Sequence, residues 1–307
     1  MFDIDYVFPW VNNTDKVWRQ NFINYCKKNQ LEWRLVGLEK ERYRDWGLLK
    51  YLFRAIAKNM PWIHKVHLIV SNIEQVPAWV NQEEVHIVLH KDFMPSHCLP
   101  TFNSTAIEMF LPYIPDLSEH FLYGNDDIYP MNSSQPDDWF TEEGLPKFKI
   151  LQGDRNKFFD KQFRVVCRNE WDLLCRLTHT PRTEWYGRPE HTLSPLVKSK
   201  CIDTIKLLGN YLVASISRFR TEKNMNQYIY TDYLYLTNYY ADTNMTFSYI
   251  GAKHPKEMLE SINMTTDNTI CLNDCNNNLT PMQLATLQVL CAQEFEKRFP
   301  EKCKYEN

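Results

Sequence analysis

The sequence predicts an α/β protein built on a mainly parallel sheet. In the N-terminal part, short apolar, β-branched segments alternate with amphipathic segments, which is the order of a parallel sheet with crossover helices. The 307 residues are 44% hydrophobic and 24% charged, so a sizeable core is expected. Only 8 glycines occur, and neither a G-x-G-x-x-G nor a P-loop sequence is present, which disfavours the common dinucleotide and P-loop enzymes.

Four N-terminal segments have the composition of buried strands: residues 4–8, 65–70, 85–89 and 121–123. Between them we predict helices at 17–28, 45–58 and 103–111, and a short turn or helix at 76–81. Thr14 or Asp15 can cap the first of these helices. The second is the clearest, because its apolar residues repeat at i, i+3 and i+4.

The pattern changes near residue 135, where helical additions follow. We predict helices at 165–177, 232–240 and 281–298, and possible strands at 246–250 and 269–272. This divides the chain into a part at 1–135 and a part at 136–307. Polar signals continue into the second part, so we expect both to complete one site within an integrated domain.

Charge, cysteines and apolar runs indicate the compartment. The formal net charge of −3 gives no basic field that would attract nucleic acid. The nine cysteines lack a C-x-x-C pair and are interpreted as reduced thiols. The N-terminus lacks the features of a signal peptide, and no apolar run reaches the roughly 18 residues of a membrane span. We therefore expect a cytoplasmic protein.

An acidic pair, Asp126 and Asp127, directly follows the fourth predicted strand. Ligands of parallel α/β sheets bind at the carboxyl ends of the strands. Two carboxylates at that position can hold a divalent cation, and through it a diphosphate. The same residues are also typical of an Asx-rich turn, in which they bond to their own backbone.

Polar residues near two predicted helix starts are further candidates. Asn103 or Ser104 can cap the helix at 103–111, and Glu108 shares a face with Ser104, which fits either a capped helix or an anion site. Basic side chains that can bind phosphate oxygens, or else form solvated surface pairs, are Arg42, Arg44, Arg218 and Arg220.

His179 and Asp274 complete the candidates. His179 precedes Thr-Pro in a predicted loop, and histidine is a common general base, although a lone histidine is more often structural. Asp274 follows a possible strand in the segment Cys-Leu-Asn-Asp-Cys. Its cysteines, Cys271 and Cys275, indicate zinc only weakly, because no partner ligands lie at a standard spacing.

The order of these blocks resembles the Stealth family of sugar-1-phosphate transferases. The matching blocks are residues 4–12, 42–130, 179–181 with 218–220, and 271–274. Two places depart from the family pattern. Asn12-Asn13 stands where many members have Asp-Gly, and Gly124-Asn125 stands where Leu-Asn is more usual. Neither departure removes a carboxylate of the acidic pair.

The resemblance implies a Rossmann-like or GT-A-like sheet that binds a nucleotide sugar. It implies transfer of hexose-1-phosphate or N-acetylhexosamine-1-phosphate from a UDP-sugar to a saccharide hydroxyl. The product is a phosphodiester in capsular or cell-surface polysaccharide, and UMP leaves. The expected acceptor is a lipid-linked oligosaccharide at the inner face of the plasma membrane.

The resemblance also implies roles for individual residues. The cation, Mg²⁺ or Mn²⁺, is expected on Asp126, Asp127 and Asp274. His179 is the expected general base, with Glu108 as the alternative, and Asp127 and Arg220 act on the reacting phosphate. The donor is expected to contact Trp10, Val11, Asn12, Arg44, Asn103 and Ser104.

Two other functions fit the same signals. One is a metal-dependent glycosyltransferase, which would release UDP instead of UMP. The other is a non-catalytic subunit that binds nucleotide sugar or glycan. The leaving nucleotide separates the two enzymes, and turnover separates both from the binding protein.

Overall fold

The computed structural model describes residues 2–31, 43–157, 162–274 and 279–307. Its strands, numbered along the chain, are β1 (Ile4–Pro9), β2 (Val66–Val70), β3 (Val85–Leu89), β4 (His120–Tyr123), β5 (Ile128–Pro130), β6 (Ile150–Asp154), β7 (Trp185–Pro189), β8 (Ser194–Val197), β9 (Phe247–Gly251) and β10 (Thr269–Asn273). Its helices are α1 (Lys16–Lys28), α2 (Leu49–Asn59), α3 (His90–Phe93), α4 (Ser104–Glu108), α5 (Pro136–Trp139), α6 (Gln162–Leu177), α7 (Lys198–Leu208), α8 (Tyr228–Leu236), α9 (Pro255–Met264) and α10 (Pro281–Arg298).

The central sheet has five strands in the order β3-β2-β1-β4-β8. The first four run parallel, and β8 pairs antiparallel with β4. The α/β class with a mainly parallel sheet is therefore confirmed. Strands β5, β10 and β9 form a second sheet, and β6 and β7 form a two-stranded one.

Both faces of the central sheet are covered, which explains why its strands are mostly apolar. Successive residues of β1 point to opposite faces: Tyr6 and Phe8 belong to one core, and Val7 belongs to the other. Leu52 and Phe53 of α2 pack into the first of these cores. Each such side chain stabilises the fold by about 1.5–3 kcal/mol when fully buried.

The two predicted parts of the chain share both of the larger sheets. Strand β8, from the second part, extends the central sheet beside β4. Strand β5, from the first part, pairs antiparallel with β10. The carboxyl ends of β4 and β10 are thereby brought to the same region of the molecule.

Helix α2 begins at Leu49, so the predicted start at residue 45 is wrong. Gly47 has a φ of +70°, a left-handed conformation that interrupts the helical pattern. The Asp45 carboxylate accepts a hydrogen bond from the Gly47 amide at 2.8 Å, closing a turn. Residues 44–48 therefore form a loop, and four of them, Arg44, Asp45, Trp46 and Leu48, line the cavity described below.

Other differences lie mainly in the second part of the chain. Helix α4 is shorter than predicted, and Asn103 caps it by accepting from Thr105 N at 3.2 Å. Strands β7 and β8 and helices α7 and α9 were not predicted. Strand β7 contains Gly187 and Pro189, residues that strands usually avoid.

No helix in the described part of the chain is long and apolar enough to span a bilayer. Eight cysteines among the same residues form no disulfide, and most of them are buried. Cys275 lies outside the described residues, so the structure does not test the weak zinc interpretation of Cys271 and Cys275.

A buried charge cluster lies at the opposite end of the central sheet from the acidic pair. The Asp5 carboxylate lies 2.9 Å from His67 Nε2 and 3.0 Å from His64 Nδ1, and it accepts from Ser118 N at 2.8 Å. Burial alone would raise the pKa of Asp5, but these hydrogen bonds outweigh it and lower the pKa to about 2.

We expect Asp5→Asn to lower the free energy of unfolding at pH 7 by about 2 kcal/mol. The pKa of Asp5 is lower in the folded state than the ordinary value of 3.8, so the contribution is complete above 3.8 and is lost as the pH falls towards 2. Urea unfolding at pH 7 and at pH 3 measures this. Asp3→Asn is the matched control, because that side chain is 71% exposed. Equal losses in the two variants would contradict the prediction.

Candidate active site

A cavity of about 250 Å³ opens at the carboxyl ends of β1, β4 and β10. We call it the main cavity. The predicted site residues that line it are Trp10, Val11, Arg44, Asn103, Ser104, Asp126, Asp127, Arg220 and Asp274. Residues separated by more than two hundred positions are thus brought together where parallel α/β sheets bind their ligands. Arg42 lies outside the described residues.

The acidic pair occupies the tight connection between β4 and β5. Burial raises the pKa of Asp126 to about 8, and the charges of Asp127 and Asp45 add to the effect. Burial also raises the pKa of Asp127, whose Oδ1 is buried without a hydrogen-bond partner. Carboxylates held together in this way repel one another unless a positive charge is supplied.

This arrangement fits a divalent cation. Mg²⁺ prefers oxygen ligands and often uses one or two carboxylates together with substrate phosphates. The buried, unpartnered Oδ1 of Asp127 is such a ligand atom, and Asp126 supplies a second carboxylate. Asp274 is engaged differently, because Arg44 Nη1 donates to its two oxygens at 3.0 and 2.8 Å. In this structure Asp274 therefore positions Arg44 on the cavity wall.

His191 lies beside Asp127 and was not among the predicted residues. One ligand atom each of Asp127, His191 and Cys271 falls within 4.8 Å of the others. The Cys271 thiol donates to Asp127 Oδ2 at 3.5 Å. Burial lowers the pKa of His191, and the charge of Asp127 opposes that shift. His191 does not line the main cavity, so it meets the acidic pair from outside it.

Tyr228 orients the His191 ring. Its Oη lies 2.6 Å from His191 Nδ1, which leaves Nε2 as the ring nitrogen not committed to this contact. Burial raises the pKa of Tyr228 well above its ordinary value, so the phenol keeps its proton. The hydrogen bond therefore couples the tautomer of His191 to the orientation of one hydroxyl group.

Arg220 is held in the cavity by two predicted residues. Its Nη2 donates to Ser104 Oγ, and its charge acts on the Glu108 carboxyl. Glu108 does not line the cavity. It is buried behind Ser104, where Oε2 accepts from Gln227 N at 2.8 Å. Burial raises the pKa of Glu108, and the charge of Arg220 opposes that rise. Glu108 is thus placed to position Arg220.

Stacked aromatic rings lie next to the cavity residues Asn103 and Arg220. Phe102 and Phe219 stack with their ring centroids 5.4 Å apart, and Phe102 N donates to Arg218 O at 3.0 Å. The next residue of each segment, Asn103 or Arg220, lines the cavity. Four further rings pack around the stacked pair, three from α1 and one from Tyr43: Trp18, Phe22, Tyr25 and Tyr43.

At the β1 end, two buried polar atoms of the cavity residues have no partner. They are Trp46 Nε1, a donor, and Gln75 Oε1, an acceptor. Gln75 is 2% exposed, and its Nε2 donates to the Asn12 carbonyl at 3.3 Å. Such atoms are costly to bury unless a ligand satisfies them. The Asn12 side chain does not line the cavity, because its Oδ1 accepts from Thr14 N at 2.9 Å.

His179 lies elsewhere in the fold. It follows the end of α6, where it has a φ of +56°, and its side chain is exposed. The Thr180 amide donates to Cys175 O at 2.9 Å, a bond that terminates the helix. His179 does not line the main cavity, and the pair of His191 and Asp127 forms without it.

Comparison with known proteins gives one family. Residues 42–148 match the family profile described as Stealth protein CR2, conserved region 2. An exopolysaccharide phosphotransferase, cps2G of Lactiplantibacillus plantarum, is 31% identical over 99% of this chain and 96% of its own length. A capsular polysaccharide phosphotransferase, WcwK of Streptococcus pneumoniae, is 27% identical over 100% of this chain and 98% of its own.

Among solved structures, the galactosyltransferase LgtC, crystallised with donor and acceptor sugar analogues, covers 96% of this chain at 10% identity with a TM-score of 0.45. A likeness at this level carries no argument about function. The full-length sequence relatives do support a family assignment, because they cover both halves of the site described above. The chain belongs to the Stealth family of phosphotransferases.

Proposed function

We propose that this protein transfers hexose-1-phosphate, or N-acetylhexosamine-1-phosphate, from a UDP-sugar to a saccharide hydroxyl and releases UMP. One observation carries the proposal. The main cavity holds the acidic pair, Asp126 and Asp127, together with two arginines, and a histidine meets Asp127 from outside it. That is the constellation that phosphoryl transfer needs: charge neutralisation, positioning and a base near the acceptor. The relatives named as capsular and exopolysaccharide phosphotransferases support the same reaction class.

The proposed step makes one bond and breaks one bond. The acceptor oxygen attacks the β-phosphorus of the donor, and the bond from that phosphorus to the oxygen bridging to the α-phosphorus breaks. The acceptor proton passes to a base, and UMP leaves with the bridging oxygen. The sugar keeps its own bond to the transferred phosphate throughout.

Two arginines are placed to bind the diphosphate oxygens. Arg220 is oriented by Ser104 and Glu108, and Arg44 is oriented by Asp274. Guanidinium groups that are already oriented lose little entropy when they bind phosphate oxygens. Asp126 and Asp127 would hold Mg²⁺ or Mn²⁺. When bound, that cation would neutralise negative charge on the diphosphate.

His191 is the base that the geometry favours. To accept a proton at Nε2, the neutral ring must carry its hydrogen on Nδ1 and donate it to Tyr228 Oη, which lies 2.6 Å away. The imidazolium that forms would then be stabilised by the Asp127 carboxylate. The proposal therefore assigns to His191 the role that the sequence pattern assigned to His179.

The leaving nucleotide tests the proposal directly. Purified protein would be incubated with Mg²⁺, a panel of UDP-sugars and an acceptor extract, and UMP would be resolved from UDP by chromatography. Protein-dependent UMP is the expected product. UDP as the product would instead identify a glycosyltransferase, and donor binding with neither product would identify a binding subunit.

The buried corner at Gln75 is proposed to bind the nucleobase. Its unpartnered Oε1 can accept the imide N–H of uracil, and Trp10 lines the same cavity. We expect Gln75→Leu to weaken UDP-sugar binding about tenfold, because the imide would lose its partner. Calorimetric Kd values measure this effect. The control is Gln152→Leu, at an exposed position on β6. Unchanged Kd in a folded Gln75→Leu protein would place the base elsewhere.

The proposal extends to the place of the reaction. A lipid-linked oligosaccharide at the inner face of the plasma membrane would be a suitable acceptor for a protein that draws on UDP-sugars. Capsular or cell-surface polysaccharide would then be the final product, in keeping with the names of the full-length relatives. Flotation of the protein with acceptor-bearing vesicles tests this part.

A further inference from the structure

Two large aromatic rings are exposed near His191. The Tyr249 side chain is 53% exposed, and its ring centroid lies 5.7 Å from that of His191. The Phe163 side chain, in the first turn of α6, is 41% exposed. Its ring packs edge-to-face on Tyr228 with the centroids 5.9 Å apart. Neither ring belongs to the main cavity.

The strand register places Tyr249 near the acidic pair. Tyr249 on β9 is the register partner of Cys271 on the parallel neighbour β10, so the two side chains lie side by side on one face of the sheet. The Cys271 thiol in turn donates to Asp127 Oδ2 at 3.5 Å. An exposed ring is therefore placed one strand away from the acidic pair.

Phe163 reaches the same histidine through Tyr228. The Tyr228 ring lies 6.3 Å from the His191 ring, and its Oη contacts Nδ1. The Phe163 ring packs against that tyrosine ring at an interplanar angle of 78°. The histidine ring is thus bordered by Tyr228 and Tyr249, and two of the surrounding rings open to solvent.

We propose that Tyr249 and Phe163 form an acceptor platform, on which a pyranose ring of the saccharide acceptor stacks and presents a hydroxyl to His191. This inference rests on the proposed function for the existence of an acceptor. A pyranose has an apolar face of C–H groups and a polar rim of hydroxyls. Aromatic rings with one face in solvent bury such a face at little entropic cost, because each has only two side-chain torsions.

The placement also separates the two substrates. The donor is proposed to fill the main cavity, whose walls include Asp127. The acceptor platform adjoins Asp127 through His191 and Cys271, neither of which lines that cavity. An acceptor bound there would approach the diphosphate from the side that carries the base. Loss of the platform should therefore affect acceptor binding and leave donor binding intact.

The test is direct binding of simple glycosides without donor. Wild-type protein would be titrated with p-nitrophenyl glucoside, galactoside and N-acetylglucosaminide and followed by saturation-transfer NMR. We expect Tyr249→Ala to weaken the Kd of the glycosides that bind by about tenfold. Tyr249→Phe should restore the wild-type Kd, since it keeps the ring. The Kd for a UDP-sugar, measured in parallel, should stay within a factor of about two in both variants.

Tyr211→Ala is the matched control. Tyr211 is 48% exposed and lies over Arg176, which is about 20 Å along α6 from Phe163. It should bind glycosides as wild type does. Phe163→Ala gives an independent variant should Tyr249→Ala fail to fold. Glycoside Kd values unchanged in Tyr249→Ala and Phe163→Ala, or no binding by wild type, would overturn the platform. Because no turnover is needed, failure to release UMP would count against the proposed function alone.

Discussion

Asp127→Asn is expected to lower the rate of sugar-1-phosphate transfer about a thousandfold. The substitution keeps the size and shape of the side chain but removes the charge that is proposed to hold the cation. The Kd for Mg²⁺ should weaken with it. The fold should not suffer, because one carboxylate oxygen of Asp127 is buried without a partner, and a neutral amide costs less to bury there. UMP release and the melting temperature, measured on the same preparation, test both parts.

Two further variants are needed to interpret this experiment. Asp203→Asn removes a surface carboxylate that lies 3.7 Å from Lys200, and it should leave transfer at the wild-type rate. Cys271→Ser distinguishes two kinds of cation site. A soft site on Asp127, His191 and Cys271 would lose its metal in this variant, whereas an oxygen site on Asp126 and Asp127 would keep it. If Asp127→Asn retains a large share of the activity, the acidic pair does not hold a catalytic cation. The alternative interpretation of the pair as an Asx-rich turn is then correct.

Much of the fold could be predicted because of how it is buried. Strand β1 is covered on both faces, so it appears in the sequence as a mostly apolar segment with Asp5 as its one charged residue. The long closing helix α10 is marked by a Thr280 cap and by Pro281 in its first turn. Strand β7 lacks such a signal. Its Gly187 packs so closely against Trp171 that an added Cβ would collide with that ring, a contact that no local pattern reveals.

The site residues likewise include some that the sequence identifies and others that only the structure identifies. Asp126 and Asp127 could be found from the sequence, because a single strand and the turn after it present them together. Gln75 could not, because its importance lies in an oxygen left without a partner inside a folded cavity. Asp274 shows a third case. Its segment was correctly placed after a strand, but its pairing with Arg44 depends on a contact across 230 positions.

His191 is the clearest example of a site residue that local sequence patterns cannot identify. The sequence offers it and His179 within a short stretch, and both are histidines next to threonine. Only the positions of β7 and β8, which were not predicted, carry His191 to Asp127. Helix α6 ends just before His179 and directs it to solvent. Choosing between the two requires the pairing of β8 with β4, a contact between strands far apart in the chain.

His191→Gln is therefore expected to lower the turnover number by about 10² to 10⁴, the usual contribution of a general base. Glutamine can still hydrogen-bond Tyr228 but cannot take a proton at neutral pH. The Kd for the UDP-sugar should change little, because His191 does not line the main cavity. Single-turnover UMP release, with the donor Kd measured by calorimetry, separates the effect on chemistry from any effect on binding.

His179→Ala supplies the opposing test. Its side chain is exposed at the end of α6, so the variant should fold and turn over as wild type does. A wild-type rate in His191→Gln together with a large loss in His179→Ala would return the base to the residue that the sequence pattern favoured. It would also require the end of α6 to move to the acidic pair during the reaction. Comparison of the two variants thus decides whether the site is already assembled in this structure or assembles only when substrate binds.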